Sequence, residues 1–410
     1  MKHLKKISSI VLALMMVLTM GASVFATDTG VSTGNTFTLE KEILVFNDES
    51  IKVYGPGITY TYAVTEGLEG KTVTDADGHT AVVKAGIEDG LTLSSNTIAF
   101  SQNELVDASL TGTAVTKDIT VGVDLNKFEG EAAGIYRYKI TETAGDLVGA
   151  AMTRPSGYIA DRYVDIYLRN KNNGDGLEVA GIVVFIGDAN IDGETANNNK
   201  ITGKTTGFVD TYDKDITDDV ETDGSGMADK YYTYNYSLTK EVTGAMADKT
   251  NPFEFKIATA GVANQNFTYK PADGKDAVGT IGTLVTTNLS HGQTLEIKGL
   301  PANATINVTE KNNTPDTYTV SAEDKAAGEL IPAEAVGANV EKSTGEKAVS
   351  EYATNKTTKP DASLKATTFV NNLDEVSPTN VVMRFAPYLF ILGGAMLLLV
   401  ASRRRKAEQE

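Results

Sequence analysis

Cysteine is missing from all 410 residues, so no disulfide can tie this chain together. Histidine occurs three times, at His3, His79 and His291, too far apart in sequence to suggest a metal cluster. No acid, nucleophile and metal set for a diffusible substrate can be assembled, which weighs against a surface hydrolase. Neither a cofactor nor enzymatic turnover is expected. Basic residues are outnumbered: the formal net charge is −17, and Lys and Arg concentrate at the termini. Such a surface repels phosphates, so nucleic acid is not an expected partner. Continuous helical periodicity is also scarce, and "AEDKAAGELIPAEA", residues 322–335, is the best candidate for a short helix or a loop.

The two ends carry the long apolar runs. Lys2, Lys5 and Lys6 precede "ISSIVLALMMVLTMGASVFA", which reads as a secretory signal peptide over residues 1–26, with cleavage expected after Ala26. Near the other end an apolar run from about 385 to 401 is followed by Arg403, Arg404, Arg405 and Lys406. Its length is enough for a membrane span, and the basic cluster would stay cytoplasmic. The segment between the two ends is therefore expected outside the membrane.

That segment is rich in Thr, Val, Tyr and Ile in period-two alternation, as in "ITYTYAVTEG", "RYVDIYLRN" and "QTLEIKGL", cut by Gly, Asn and Asp turns. Short alternating runs at this spacing predict an all-β chain of two tandem immunoglobulin-like antiparallel sandwiches. The acidic, glycine-bearing stretch "DKDITDDVETDGSGMADK" at 213–230 is the expected linker between a first domain at 27–212 and a second at 231–373. The halves repeat weakly. "FTLEKEI", "YRYKITET" and "TGFVDTY" in the first answer "YSLTKEV", "ATINVTEK" and "TTFVNNL" in the second, in the same order. Each half offers an early Lys, a middle Glu and a late Asp or Asn: Lys41, Glu142 and Asp210, then Lys240, Glu310 and Asn371.

At these residues, and in "LTKEVTG", "NPFEFKI" and "GLPANATINVTE", the chain resembles the Gram-positive pilin subunits whose immunoglobulin-like, Cna protein B-type domains carry internal isopeptide crosslinks. The resemblance implies a Lys41 to Asp210 bond assisted by Glu142 and a Lys240 to Asn371 bond assisted by Glu310. The chemistry suits those residue types. A lysine with its ordinary pKa of about 10.4 is protonated and inert, whereas burial favours the neutral, nucleophilic amine. Burial pushes a glutamate the other way, so that it can hydrogen-bond the electrophile and relay protons to the leaving group. An aspartate electrophile loses water and an asparagine loses ammonia, once per molecule.

The resemblance extends to the tail. Residues 374–410 have the order of a cell-wall sorting signal, although "VSPTNVV" stands where the family has Leu-Pro-x-Thr-Gly. Thr379 matches the cleaved threonine, and Asn380 replaces the glycine after it. A sortase is then an expected partner, as are peptidoglycan and further copies of the chain, with transient membrane insertion of the tail. Lys204 and Lys200 are the candidate acceptors for polymerisation, with Lys204 preferred. This implies a shaft subunit of a wall-anchored pilus, against the alternative of an anchored adhesin or tip pilin that binds host protein or glycan. One remaining motif, "DANIDGETANNN" from Asp188, opens like a calcium loop but ends on Asn199 where a bidentate Glu is required, and no metal is expected there.

Overall fold

The computed structural model describes residues 31–375, apart from 33, 68–71, 75–79, 156–157, 173, 175, 187–203, 210–227, 273, 325–328 and 349–365, together with 391, 395 and 396. The described chain is almost entirely β, as its alternation predicts. In the strand Thr305–Lys311 every second side chain is buried, and Phe253–Ala260 repeats the pattern with Phe253, Phe255 and Ile257 inward. Among the described residues no helix is long and apolar enough to cross a membrane. Nearly all of the predicted span at 385–401 lies outside them.

In the first half, the strand Thr36–Phe46 pairs antiparallel with Thr113–Val123. The facing sheet runs in the order Leu177–Ile186, Asp161–Asn170, Gly134–Ala144, Ile58–Glu66, all antiparallel neighbours. Leu39, Ile43, Tyr60, Tyr138, Ile140 and Ile166 fill the space between. The second half repeats the plan around Leu238, Phe255, Ile257, Leu295, Ile297 and Phe369. Here Asp229–Thr243 pairs with Thr294–Pro301, while Phe253–Ala260 and Thr305–Lys311 form the opposing sheet.

Two expectations from the sequence change. The expected linker extends to 230, yet Asp229 and Lys230 already belong to the fifteen-residue strand Asp229–Thr243. This strand begins beside the first domain's Thr36–Phe46, in parallel, and ends beside the second domain's last strand, Ala366–Asn372, also in parallel. One strand thus closes the first sandwich and opens the second. Tyr231 packs into the first core, while Tyr232 turns to the second and stacks on Phe46 at 4.8 Å. Asn47 Nδ2 donates to Thr233 Oγ1 at 2.9 Å, and Gln265 Nε2 reaches the carbonyl of Gly55 at 2.8 Å, so buried polar contacts accompany the shared strand. The second change is in the candidate helix at 322–335. It is divided between the antiparallel strands Tyr318–Asp324 and Glu329–Val336, the former also pairing with Ala366–Asn372. Tyr318, Val320 and Ala322 are buried at a spacing of two, and that tertiary demand outweighs the helical preference of the alanines.

Candidate crosslinking sites

Lys240 lies near the C-terminal end of the Asp229–Thr243 strand with no solvent exposure, its ammonium 4.5 Å from the centroid of Phe253. Across the core, Glu310 projects inward from Thr305–Lys311 and accepts from Lys240 Nζ at 2.9 Å on Oε2. Its other oxygen accepts from Asn371 Nδ2 at 2.7 Å. Asn371 comes from the last strand, where it faces Val242, two residues beyond Lys240 and on the same side of the sheet. Burial presses the Lys240 ammonium down to about 8 against the pull of Glu310, so an appreciable share of neutral amine exists near neutrality. One carboxylate therefore touches both the nucleophile and the nitrogen that would leave. Asn371 Oδ1 is buried with no hydrogen-bond partner among the described residues.

The first half has the same arrangement with different residues. Lys41 is fully buried, 3.3 Å from Glu142 Oε1, and its ammonium lies 4.2 Å from the centroid of Tyr60. Glu142 comes from Gly134–Ala144 in the facing sheet, directly opposite Tyr62, whose hydroxyl donates to Oε2 at 3.1 Å. Tyr158 donates to Oε1 and accepts from Lys41 at 3.2 Å. The carboxylate against Lys41 is Asp229, at 3.1 Å. Asp210, the expected partner, lies outside the described residues. Gly207 and Phe208 run beside Glu40 and Lys41, but the position facing Ile43, two beyond the lysine, is held by Asp229. That is the same offset Asn371 has from Lys240.

The first site is also more charged. Arg154, at the end of the short strand Met152–Thr153, donates through Nε to Asp229 Oδ1 and through Nη2 to Oδ2, both at 2.8 Å. The same Nη2 lies 2.8 Å from Glu142 Oε1. Tyr60 adds a bond to Asp229 Oδ2 at 2.9 Å. Burial alone would raise the Asp229 carboxyl, but Arg154 and Lys41 together hold it below the usual carboxylate range. Burial presses Lys41 down, opposed by Glu142 and Asp229 and helped by Arg154.

The repeat in the sequence brought Lys41 with Glu142, and Lys240 with Glu310 and Asn371, to single sites. It passed over Asp229 because that residue sits in the acidic break, although "YYTYNYSLTKEV" directly after it alternates like a strand. Arg154 and Tyr158 carry no local signal. Lys204 is half-buried and bridges Phe185, whereas Lys200, Thr379, Asn380 and the calcium-like loop lie outside the described residues. Among the described residues no cluster of His, Asp and Glu is arranged for a metal.

Residues 234–372 match a family model described as a domain of unknown function, DUF7601. No curated relative matches the chain in sequence. Among solved structures, the chain is similar to the major pilin T3.2 of Streptococcus pyogenes at 19% identity, over 84% of this chain and 100% of that one, with a TM-score of 0.44. The T-13 major pilin of the same species gives 17%, 84%, 100% and 0.39. The pilus-presented adhesin Spy0125 (Cpa) gives 13%, 82%, 100% and 0.25.

Proposed function

We propose that this protein is a structural pilin subunit that crosslinks itself once in each sandwich and is then joined to its neighbours by sortase. The carrying observation is the duplicated site: a buried lysine, a glutamate from the opposing sheet and an Asn or Asp at one offset on the adjacent parallel strand. Ordinary strand lysines face water, and burying one costs several kcal/mol unless it is paired or put to use.

In the second domain, Glu310 takes a proton from Lys240, and the neutral Nζ attacks Asn371 Cγ. The Nζ–Cγ bond forms, Glu310 passes that proton to Nδ2 and takes the second one from Nζ, and the ammonia that leaves carries the second proton away as ammonium. In the first domain, Lys41 attacks Asp229 Cγ with Glu142 as relay, and one carboxyl oxygen leaves as water. Packing holds Lys240 and Asn371 against one glutamate and Lys41 directly against Asp229, which makes each reaction effectively intramolecular. Each bond ties a sandwich's first strand to the strand that closes it, so tension passes from the tail through Asn371 to Lys240, and along the shared strand to Asp229 and Lys41. Export, attachment through Thr379 with Asn380 after it, and acceptance by Lys204 or Lys200 complete the proposal, with the mature chain held in a fibre on the cell wall.

The deciding experiment is the intact mass of the mature chain. A deficit of one water plus one ammonia supports both bonds, and the full sequence mass removes them. Ladders of high molecular weight in surface extracts, lost on Lys204→Ala or Lys200→Ala, test the shaft role; a single unladdered band contradicts it.

A further inference from the structure

The two sites differ in charge, and the difference has a structural counterpart. Lys240 and Glu310 balance each other, and Asn371 is neutral. Replacing that amide by a carboxylate, as the first site does with Asp229, leaves Lys41, Glu142 and Asp229 with one surplus negative charge in a dry core. An uncompensated buried charge is costly enough to alter protonation or expel the group. Arg154 lies where the surplus arises, touching both Asp229 oxygens and Glu142 Oε1 at 2.8 Å and stacked on Tyr158 at 3.8 Å. Arg154 is itself partly exposed, whereas Arg162, the fully buried cation nearby, directs its hydrogen bonds instead to the carbonyls of Gly207, Ile159 and Asp161.

Resting on the crosslink proposed above, we infer that Arg154 is the electrostatic positioning residue that lets an aspartate serve as electrophile in the first domain. Its guanidinium restores neutrality to the buried set. Its two donors also hold the Asp229 carboxyl so that, as Lys41 Nζ bonds to Cγ, the oxygen that becomes negative is already hydrogen-bonded. The ammonium and the carboxylate together give up one water, so no other reactant is needed. Such preorganised donors act most strongly where water is excluded.

The test compares the mature chain with Arg154→Met, Asp229→Asn and the double variant, following mass over time and locating each bond by peptide mapping. The unmodified chain should lose one water at Lys41. Arg154→Met should slow that loss about a hundredfold. The double variant should regain a fast first-domain bond, now with loss of ammonia, because Lys41, Glu142 and Asn at position 229 need no counter-charge. Asp229→Asn alone should be slower than the double variant, since Arg154 then becomes an unbalanced cation. A merely structural arginine gives no such rescue, and ammonia loss at Asn371 reports that the rest of each variant has folded. Crosslinking of Arg154→Met at the unmodified rate, or a double variant no faster than Arg154→Met, overturns the inference. No water loss from the unmodified chain removes the first-domain bond itself and the role of Arg154 with it.

Discussion

Asp229 Oδ2 lies 3.1 Å from Lys41 Nζ although 188 residues separate them. Asp229 opens the strand that carries Lys240, so the two candidate bonds meet on one continuous piece of backbone. Asp229→Ala should therefore abolish the water loss and leave the ammonia loss intact, while Asp210→Ala should change neither. Peptide mapping of the two variants distinguishes the partners directly.

Each glutamate should control its own bond. Glu310→Ala is expected to leave Lys240 and Asn371 unlinked while the first-domain bond forms normally, and Glu142→Ala to do the reverse. Loss of both bonds in either variant, with the fold retained by circular dichroism, would contradict two independent sites.

Preventing the second bond should lower stability substantially. Lys240 and Asn371 close a long loop, and constraining a loop of about 100 residues is worth roughly 4.7 kcal/mol on the chain-entropy model. Chemical unfolding of Asn371→Ala against the unmodified chain should show a loss of that order in the second transition. An unchanged midpoint would mean that no covalent tie exists there.

The uncrosslinked second site should respond to pH in a defined direction. In Asn371→Ala the buried Lys240 holds its proton only to about 8, whereas an unfolded lysine holds it to 10.5. Between those values the unfolded chain binds more protons, so folding stability rises with pH; below 8 both states are charged and the full burial cost remains. Relative to Lys240→Met/Asn371→Ala, the gain from pH 7 to 11 should be about 3 kcal/mol, measured by urea unfolding. A flat difference would indicate that Lys240 is solvated.

Gly244 follows the Lys240 strand at φ +100°, where a Cβ would sit 2.2 Å from the Leu373 carbonyl oxygen. Gly244→Ala should displace the last strand just beyond Asn371 and cost about 1–3 kcal/mol through backbone strain. It should also slow the second bond without affecting the first, as read by the rate of ammonia loss.

The sequence by itself determined the all-β class, the two halves and most of both sites. Alternation dictates strands, and the ordered repeat places Lys41 with Glu142 and Lys240 with Glu310 and Asn371. Asn371 was legible because its strand belongs to its own domain and repeats the pattern. Only the tertiary structure decided the rest. Which carboxylate faces Lys41 depends on a parallel register between strands that begin at Thr36 and Asp229, and nothing local records it. The stretch at 322–335 became a hairpin because its neighbours required alternating burial. Arg154 acquired its place because a buried site with one carboxylate too many needs a cation, and that need exists only once the sheets have closed around it.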